Sequence, residues 1–313
     1  DTTNAFIPGH ATPTVIIFGR NQEPVAASVR IAMSIKGEPK EPTDPARGEV
    51  WCAIICQIDH PGTTSDYITV TDFPRDSLRR HPWALGGGGA AELKDRLDAS
   101  CETELEQFLT DIGAKLLTRL DDLFEAPDSL AARHNFGAFS KPYATGEDIR
   151  DWLIEPTRSI IYPYNEKCEP MHSPALLQFL WPQRRLLIER VAFGMSQSER
   201  GLPWYSHSMI FRRRINSEST ALFSDISTHN HFSADGGSII SNSHAPALVF
   251  TNAETRDKLV TLLNSSTTCF WLKQVNLPKA GSGLNRRIQN ESWEFRFGGN
   301  QKGSGFVVCG RLG

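Results

Sequence analysis

The shortness of its apolar runs is what most limits the fold open to this chain. Stretches such as Ala53-Ile54-Ile55-Cys56 fall far short of the ~20 apolar residues that span a bilayer. A core has to be assembled from many short strands and helices joined by Gly- and Pro-containing loops. With 313 residues, the chain is long enough for one large domain or two ordinary ones. Its 39% hydrophobic content lies at the low end for compact globules and far from disordered compositions. No signal peptide is visible.

Patterning predicts a mixed α/β fold. β-branched and aromatic runs predict strands at 12–19, 25–36, 50–58 and 67–70, with Phe6–His10 as the approach arm of a hairpin. Gly86–Gly89 closes this β-rich part, and helical spacing follows at 90–97 and 102–123, the latter through Leu105, Phe108, Leu109, Ile112, Leu116, Leu117 and Leu120. The segment 127–143 reads as a linker. Beyond it come helices at 146–152, 174–193 and 254–263, and strands at 158–164, 222–231 and 239–250. The domain boundaries read from this pattern are 1–85, a helical connector at 86–140, and 141–313.

Few constellations carry chemistry. Gly86–Gly89 formally fits G-x-G-x-x-A, but no hydrophobic strand feeds into it and no Lys-Ser/Thr follows, so a hinge opening a helix is the simpler reading. His229 and His231, with His207 and His244, are the residue type that binds zinc, yet no acidic or thiolate partner stands at a useful spacing, and no metal is expected. Asp121, Asp122 and Glu125 read as solvated charge at a helix end. No G-x-S-x-G nucleophile elbow occurs. Cys52, Cys56, Cys101, Cys168, Cys269 and Cys309 show no C-x-x-C pair and read as buried, reduced thiols of a cytosolic protein.

Net charge is −3, which alone argues neither for nor against nucleic acid; its distribution says more. From Phe270 to Gly313, seven basic residues (Lys273, Lys279, Arg286, Arg287, Arg296, Lys302, Arg311) face two acids (Glu291, Glu294), whereas 92–125 is acidic. Phe270-Trp271-Leu272-Lys273-Gln274-Val275, followed by a Gly/Ser loop carrying Lys279, Ser282, Asn285, Arg286 and Arg287, suits DNA: cations meet phosphates, and Gln, Asn or Arg read base edges. The competing reading is a buried aromatic strand, with Phe270 and Trp271 in the core, followed by a solvated loop. Arg212-Arg213-Arg214 is a second basic cluster, equally readable as a solvated run.

Several phrases together resemble one family. They are 6–20 (Phe-Ile-Pro-Gly-His-Ala-Thr-Pro-Thr-Val-Ile-Ile-Phe-Gly-Arg), Gly37-Glu38-Pro39, Gly48-Glu49-Val50-Trp51, Lys141-Pro142-Tyr143, Ile160-Ile161-Tyr162-Pro163-Tyr164, Thr228-His229-Asn230-His231-Phe232, and Leu262-Leu263-Asn264-Ser265-Ser266 running into 269–275. The series is similar to adenine-specific DNA methyltransferases of phage-growth-limitation (BREX type) defence systems. That resemblance implies an N6-adenine methyltransferase using S-adenosyl-L-methionine, with a catalytic α/β domain and a target-recognition domain. The family's cofactor turn (F-x-G-x-G) and its N-P-P-[YF] motif, which holds a flipped-out adenine, do not occur in these residues.

The resemblance therefore implies a C-terminal part that opens at Asp1-Thr2-Thr3 without Met, and a family region that continues past Gly310–Gly313. Residues 1–85 would be closing strands of the catalytic sheet and 141–313 the target-recognition domain, with no cofactor bound by this chain alone. Phe6 would occupy the place of a base-stacking aromatic, or pack under a sheet edge. The expected DNA-binding residues are Lys273, Gln274, Lys279, Ser282, Asn285, Arg286, Arg287, Arg212 and Arg213. The expected partner is double-stranded DNA in the cytoplasm; the alternative is an interaction module docking other defence proteins.

Overall fold

The computed structural model describes residues 5–8, 15–79, 83–279, 292–294 and 307–308. It is a mixed α/β structure with several small sheets. The chain divides into two compact units, one built essentially from Asp1–Leu105 with Ser266–Arg311, the other from Glu106–Ser265. The expected boundary at 127–143 falls inside the second unit.

The centre of the first unit is an antiparallel pair, Ser28–Ser34 with Ile68–Pro74, in register from Ser28↔Pro74 to Ser34↔Ile68. Cross-strand neighbours share a face, so the pleat sorts the side chains into two sets. Ala32, Ile68 and Val70 pack with Val50 and Ala53 of the helix Glu49–Gln57. Met33 and Phe73 pack with Ala91 of the helix Ala90–Ala99. A helix thus covers each face of the ribbon, and Arg30 pairs with Asp72 at 2.6 Å across it.

Two strand expectations fail here. Residues 15–20 have no regular structure, and Ile17 and Phe18 are 68% and 93% exposed. Glu49–Gln57 is a helix, not a strand. The Glu38 carboxylate accepts hydrogen bonds from the Glu49 and Val50 amides, both at 2.9 Å. That satisfies two of the orphan donors of a helix start and favours the positive end of its dipole.

In the second unit, a four-stranded antiparallel sheet runs in the order Phe232–Asp235, Thr220–Phe223, Ala247–Phe250, Leu109–Gly113. The helix Ala253–Leu263 packs against it, N-capped by Asn252, which accepts from the Thr255 amide at 2.8 Å. A second sheet orders Ile240–Ser241, Ser140–Ala144 and Arg158–Ile161. Beneath it lies the largest apolar cluster, including Phe124, Phe136, Tyr143, Ile160, Tyr162, Leu176 and Leu187.

Three predicted helices change here. Residues 102–123 include the edge strand Leu109–Gly113 and the strand Leu116–Leu117. Their helical spacing is overridden because the sheet edge pairs Leu109–Gly113 with Ala247–Phe250, and a mid-helix Gly113 would cost about 1 kcal/mol. Residues 146–154 form one 3-10 turn and a tight hairpin, Ile149–Arg150 with Leu153–Ile154. The predicted helix 174–193 is broken at Pro182 into Pro174–Leu180, a 3-10 turn at Trp181–Gln183 and Arg184–Glu189, then enters a hairpin. The predicted strands 222–231 and 239–250 each contain a turn, and the strand Phe232–Asp235 lies between them.

Candidate nucleic-acid interface

The helix Ser266–Val275 of the first unit carries two of the expected DNA contacts. Cys269, Trp271 and Leu272 are its buried side, and the Trp271 indole donates to the Asp98 carboxylate at 2.8 Å. Lys94 holds the same carboxylate at 2.7 Å. Trp271 is therefore a core residue, on a helix and not on a buried strand. Lys273 and Gln274 are half-buried on the same helix. Gln274 Oε1 sits 2.9 Å from where a Cβ on Gly86 would stand.

The glycine turn is explained by such close approach. Gly87 donates to Ser34 O at 2.9 Å, and a Cβ there would lie 2.7 Å from Ile35 Cγ1. At Gly87 the turn presses on the strand Ser28–Ser34 and the residue after it.

In the second unit, Arg212–Ile215 is a single helical turn after Phe211. Arg214 is its fastener. It pairs with Asp111 at 2.9 Å, donates to Ala114 O at 2.8 Å and lies 4.4 Å over the Phe211 ring. Arg212 and Arg213 point outward, exposed. The triplet thus divides: one arginine is structural, and two are available to a polyanion. Of the remaining sequence-derived contacts, Lys279 ends the strand Leu277–Lys279, while its side chain and Ser282, Asn285, Arg286 and Arg287 lie outside the described residues. Phe6 is half-buried beside Ala5, which packs on the Val50–Ile68–Val70 cluster.

The histidines have separate local roles. His207 is fully buried among the rings of Phe124 (4.6 Å), Tyr164 (5.4 Å) and Tyr162 (6.4 Å). Burial, then the neighbouring Arg190 charge, pushes its pKa down to about 3, with an Ile161 backbone group opposing them weakly. It is a neutral ring at physiological pH. His231 Nδ1 accepts from the Asp151 amide at 3.4 Å, and His244 pairs with Asp225 at 3.2 Å. Among the described residues no three His, Cys, Asp or Glu side chains are grouped to hold a metal ion.

Cysteine burial is mixed. Cys168 and Cys269 are buried free thiols, Cys52 and Cys56 are exposed on the outer side of their helix, and Cys101 is disulfide-bonded. No described helix is long and apolar enough to cross a membrane.

Four sequence phrases supply packing devices. Asn230 donates to the carbonyls of Leu263 and Ser265, closing the helix Ala253–Leu263. Asn264 answers with two bonds to Phe232, accepting from its amide at 2.9 Å and donating to its carbonyl at 2.7 Å. Lys141 lies 4.6 Å over the Tyr162 ring across the Ser140–Ala144/Arg158–Ile161 pair. Sequence reading missed two exposed aromatics, Trp152 and Phe193, at hairpin tips. Both sit inside segments whose composition mimics helix.

Comparison with known proteins fits the resemblance read from the sequence. The chain is 31% identical over 312 residues, 95% of its length, to the adenine-specific methyltransferase PglX of Streptomyces coelicolor. It spans 26% of that relative. A solved structure of the type IIG restriction endonuclease BpuSI aligns with 81% of this chain and 31% of its own, at 10% identity and a TM-score of 0.39. No family model matches.

Proposed function

From a chain that aligns almost end to end with an adenine-specific methyltransferase, we propose that these residues recognise DNA for site-specific N6-adenine methylation in anti-phage defence. The observation that carries the reading is the match itself, over 95% of the chain, combined with the absence from this sequence of both F-x-G-x-G and N-P-P-[YF]. What the chain retains is then the part that holds the duplex, while the groups that bind S-adenosyl-L-methionine and the flipped adenine are supplied by other residues of the enzyme. Residues 1–85 serve as closing strands of the catalytic sheet and 141–313 as the target-recognition region. The site of action is the cytoplasm.

The proposed contacts divide by chemistry. Arg212, Arg213, Lys273, Lys279, Arg286 and Arg287 neutralise phosphates, which sets affinity without specifying sequence. Gln274, Ser282 and Asn285 are of the types that read base edges. Phe6 is the candidate to stack on a displaced base. The exposure of Arg212 and Arg213 beside a structurally committed Arg214 supports the first group.

Gel-shift titration of the chain against duplexes of varied adenine context, at low and moderate salt, tests the proposal. Binding that weakens steeply with salt is expected, with no methyl transfer and no S-adenosyl-L-methionine binding by the chain alone. Absence of binding to every duplex at low salt, with retention of a defence-protein partner, would replace this reading by an interaction module. Methylation of adenine by the isolated chain would overturn the division of labour.

A further inference from the structure

The hairpin Val191–Ala192/Met195–Ser196 has a rigid base and an unprotected aromatic tip. Phe193 and Gly194 form its two-residue turn with φ of 55° and 75°, positive at both positions as a type I′ turn requires. Gly, Asn or Asp adopts that backbone readily, whereas a bulky aromatic there is uncommon and unfavourable. Phe193 gains no compensating burial, because it is 81% exposed. Val191 (58%) and Met195 (46%) are also exposed on the hairpin, as is Trp181 (60%) on the turn that precedes it.

The base is fixed by buried polar side chains. Arg190 is 5% exposed and donates to the carbonyls of Leu187, Thr118, Trp204 and Ser206 at 2.7–3.2 Å. Just past the return strand, Gln197 is fully buried and its side-chain amide donates toward Pro203 O, Ser206 O, Ser206 Oγ and His207 O. Arg200 donates to Ser208 O at 2.7 Å and lies 6.0 Å from the Phe193 ring centroid. A strained, solvent-facing aromatic on so firmly clamped a support is preorganised for something outside the chain.

Charge identifies the class of partner. Within 181–200 there are four arginines (Arg184, Arg185, Arg190, Arg200) and two glutamates (Glu189, Glu199). Glu189 is held by Arg185, and Glu199 by the Ser196 amide and hydroxyl. The other exposed tip makes the contrast. Trp152, at φ 73° and 52% exposed, lies in a stretch, 147–155, that carries four acids (Glu147, Asp148, Asp151, Glu155) and one cation, Arg150, and so offers less to a phosphate.

We propose that Phe193 is a wedge that enters between stacked bases of bound duplex DNA, with Arg184 and Arg200 on the flanking phosphates. Apolar side chains used this way unstack a base step and bend the duplex. The inference rests on the DNA-recognition reading above and adds to it the element that deforms the DNA.

The full chain is titrated into duplexes carrying 2-aminopurine at successive adenine positions, and both affinity and 2-aminopurine emission are read. Wild type raises emission at one step within its footprint. Phe193→Ala abolishes the rise and weakens binding about ten-fold, in the range expected for loss of one base–aromatic stack. Phe193→Trp retains both, and Trp152→Ala changes neither. Phe193→Gly loses the rise while its thermal midpoint stays level or increases, which separates loss of the wedge from loss of fold. Wild-type binding with an emission rise unaltered in Phe193→Ala would overturn the wedge and leave DNA recognition standing. Unchanged DNA affinity and emission with loss of a protein partner would reassign the tip to protein docking. Failure of wild type to bind any duplex would sink both readings.

Discussion

At the scale of single residues, the second unit stakes its stability on polar groups taken out of water. His207 is held neutral with its pKa at about 3, against an ordinary 6.5, so between those values the unfolded chain binds a proton that the folded chain refuses. Stability is therefore fully present above about pH 6.5 and lost as pH falls toward 3, at up to about 1.4 kcal/mol per pH unit from this group. His207→Phe, which suits the surrounding rings, should flatten the pH dependence of the urea midpoint by about one proton over that window; an unchanged slope would mean that the ring is not buried neutral. Lys115 and Asp235 pose the related problem. They pair at 2.5 Å with side chains 0% and 1% exposed, and Lys115 also donates to Ile239 O at 2.8 Å. Desolvation lowers the lysine pKa, and Asp235 opposes that. Removing one partner strands a buried charge, whereas removing both does not. Lys115→Met should cost about 3–5 kcal/mol, and adding Asp235→Leu should recover most of it. Additive losses in chemical denaturation would show that the pair is not coupled.

At the scale of elements, the helix Glu49–Gln57 shows where local sequence stops being informative. Its apolar, β-branched run reads as a strand, and nothing adjacent caps it; the cap is Glu38, eleven residues upstream. A Cβ on Gly48 would stand 2.4 Å from Glu38 Oε1, so the glycine leaves room for the carboxylate at the helix end. Glu38→Ala should cost about 1 kcal/mol, with Glu38→Gln milder. Gly48→Ala, by displacing the same cap, should add little on top of Glu38→Ala; full additivity in a double-mutant cycle would refute the shared role. The strands Ser28–Ser34 and Ile68–Pro74 and the helices Ala90–Ala99 and Ala253–Leu263 were legible because their patterning and tertiary surroundings agree. Residues 102–123 were not, because Leu105, Leu109, Ile112 and Leu116 fall at helical spacing by coincidence, while pairing with Ala247–Phe250 decides the outcome. The candidate interface was legible as composition only. Sequence shows three arginines at 212–214, but only the fold assigns Arg214 to Asp111. It also hid Phe193 inside a supposed helix, where Gly194 was the sole hint of a turn.

At the scale of the whole molecule, the proposed DNA recognition has to be reconciled with a chain of net charge −3 and pI near 6.3. On that proposal the average field repels DNA, so affinity comes from cations placed locally, and the repulsion is screened beyond about a Debye length, ~8 Å at physiological ionic strength. Two consequences separate this arrangement from a uniformly basic binder. Long-range steering is absent, so association should be slow relative to basic DNA-binding proteins and little accelerated at low salt. The slope of log affinity against log salt should also count the phosphates neutralised, at about −0.9 per contact. Arg212→Ala with Arg213→Ala, exposed and outside any described ion pair, should therefore reduce that slope by nearly two and weaken binding alike for every duplex sequence, while leaving the unfolding free energy within about 0.5 kcal/mol of wild type. Arg214→Ala should do the reverse, lowering stability through loss of the Asp111 pair and the Phe211 stack without a matching change in slope. A double variant that retained the full slope would remove Arg212 and Arg213 from the phosphate contacts and leave the cations of 273–287 to carry them.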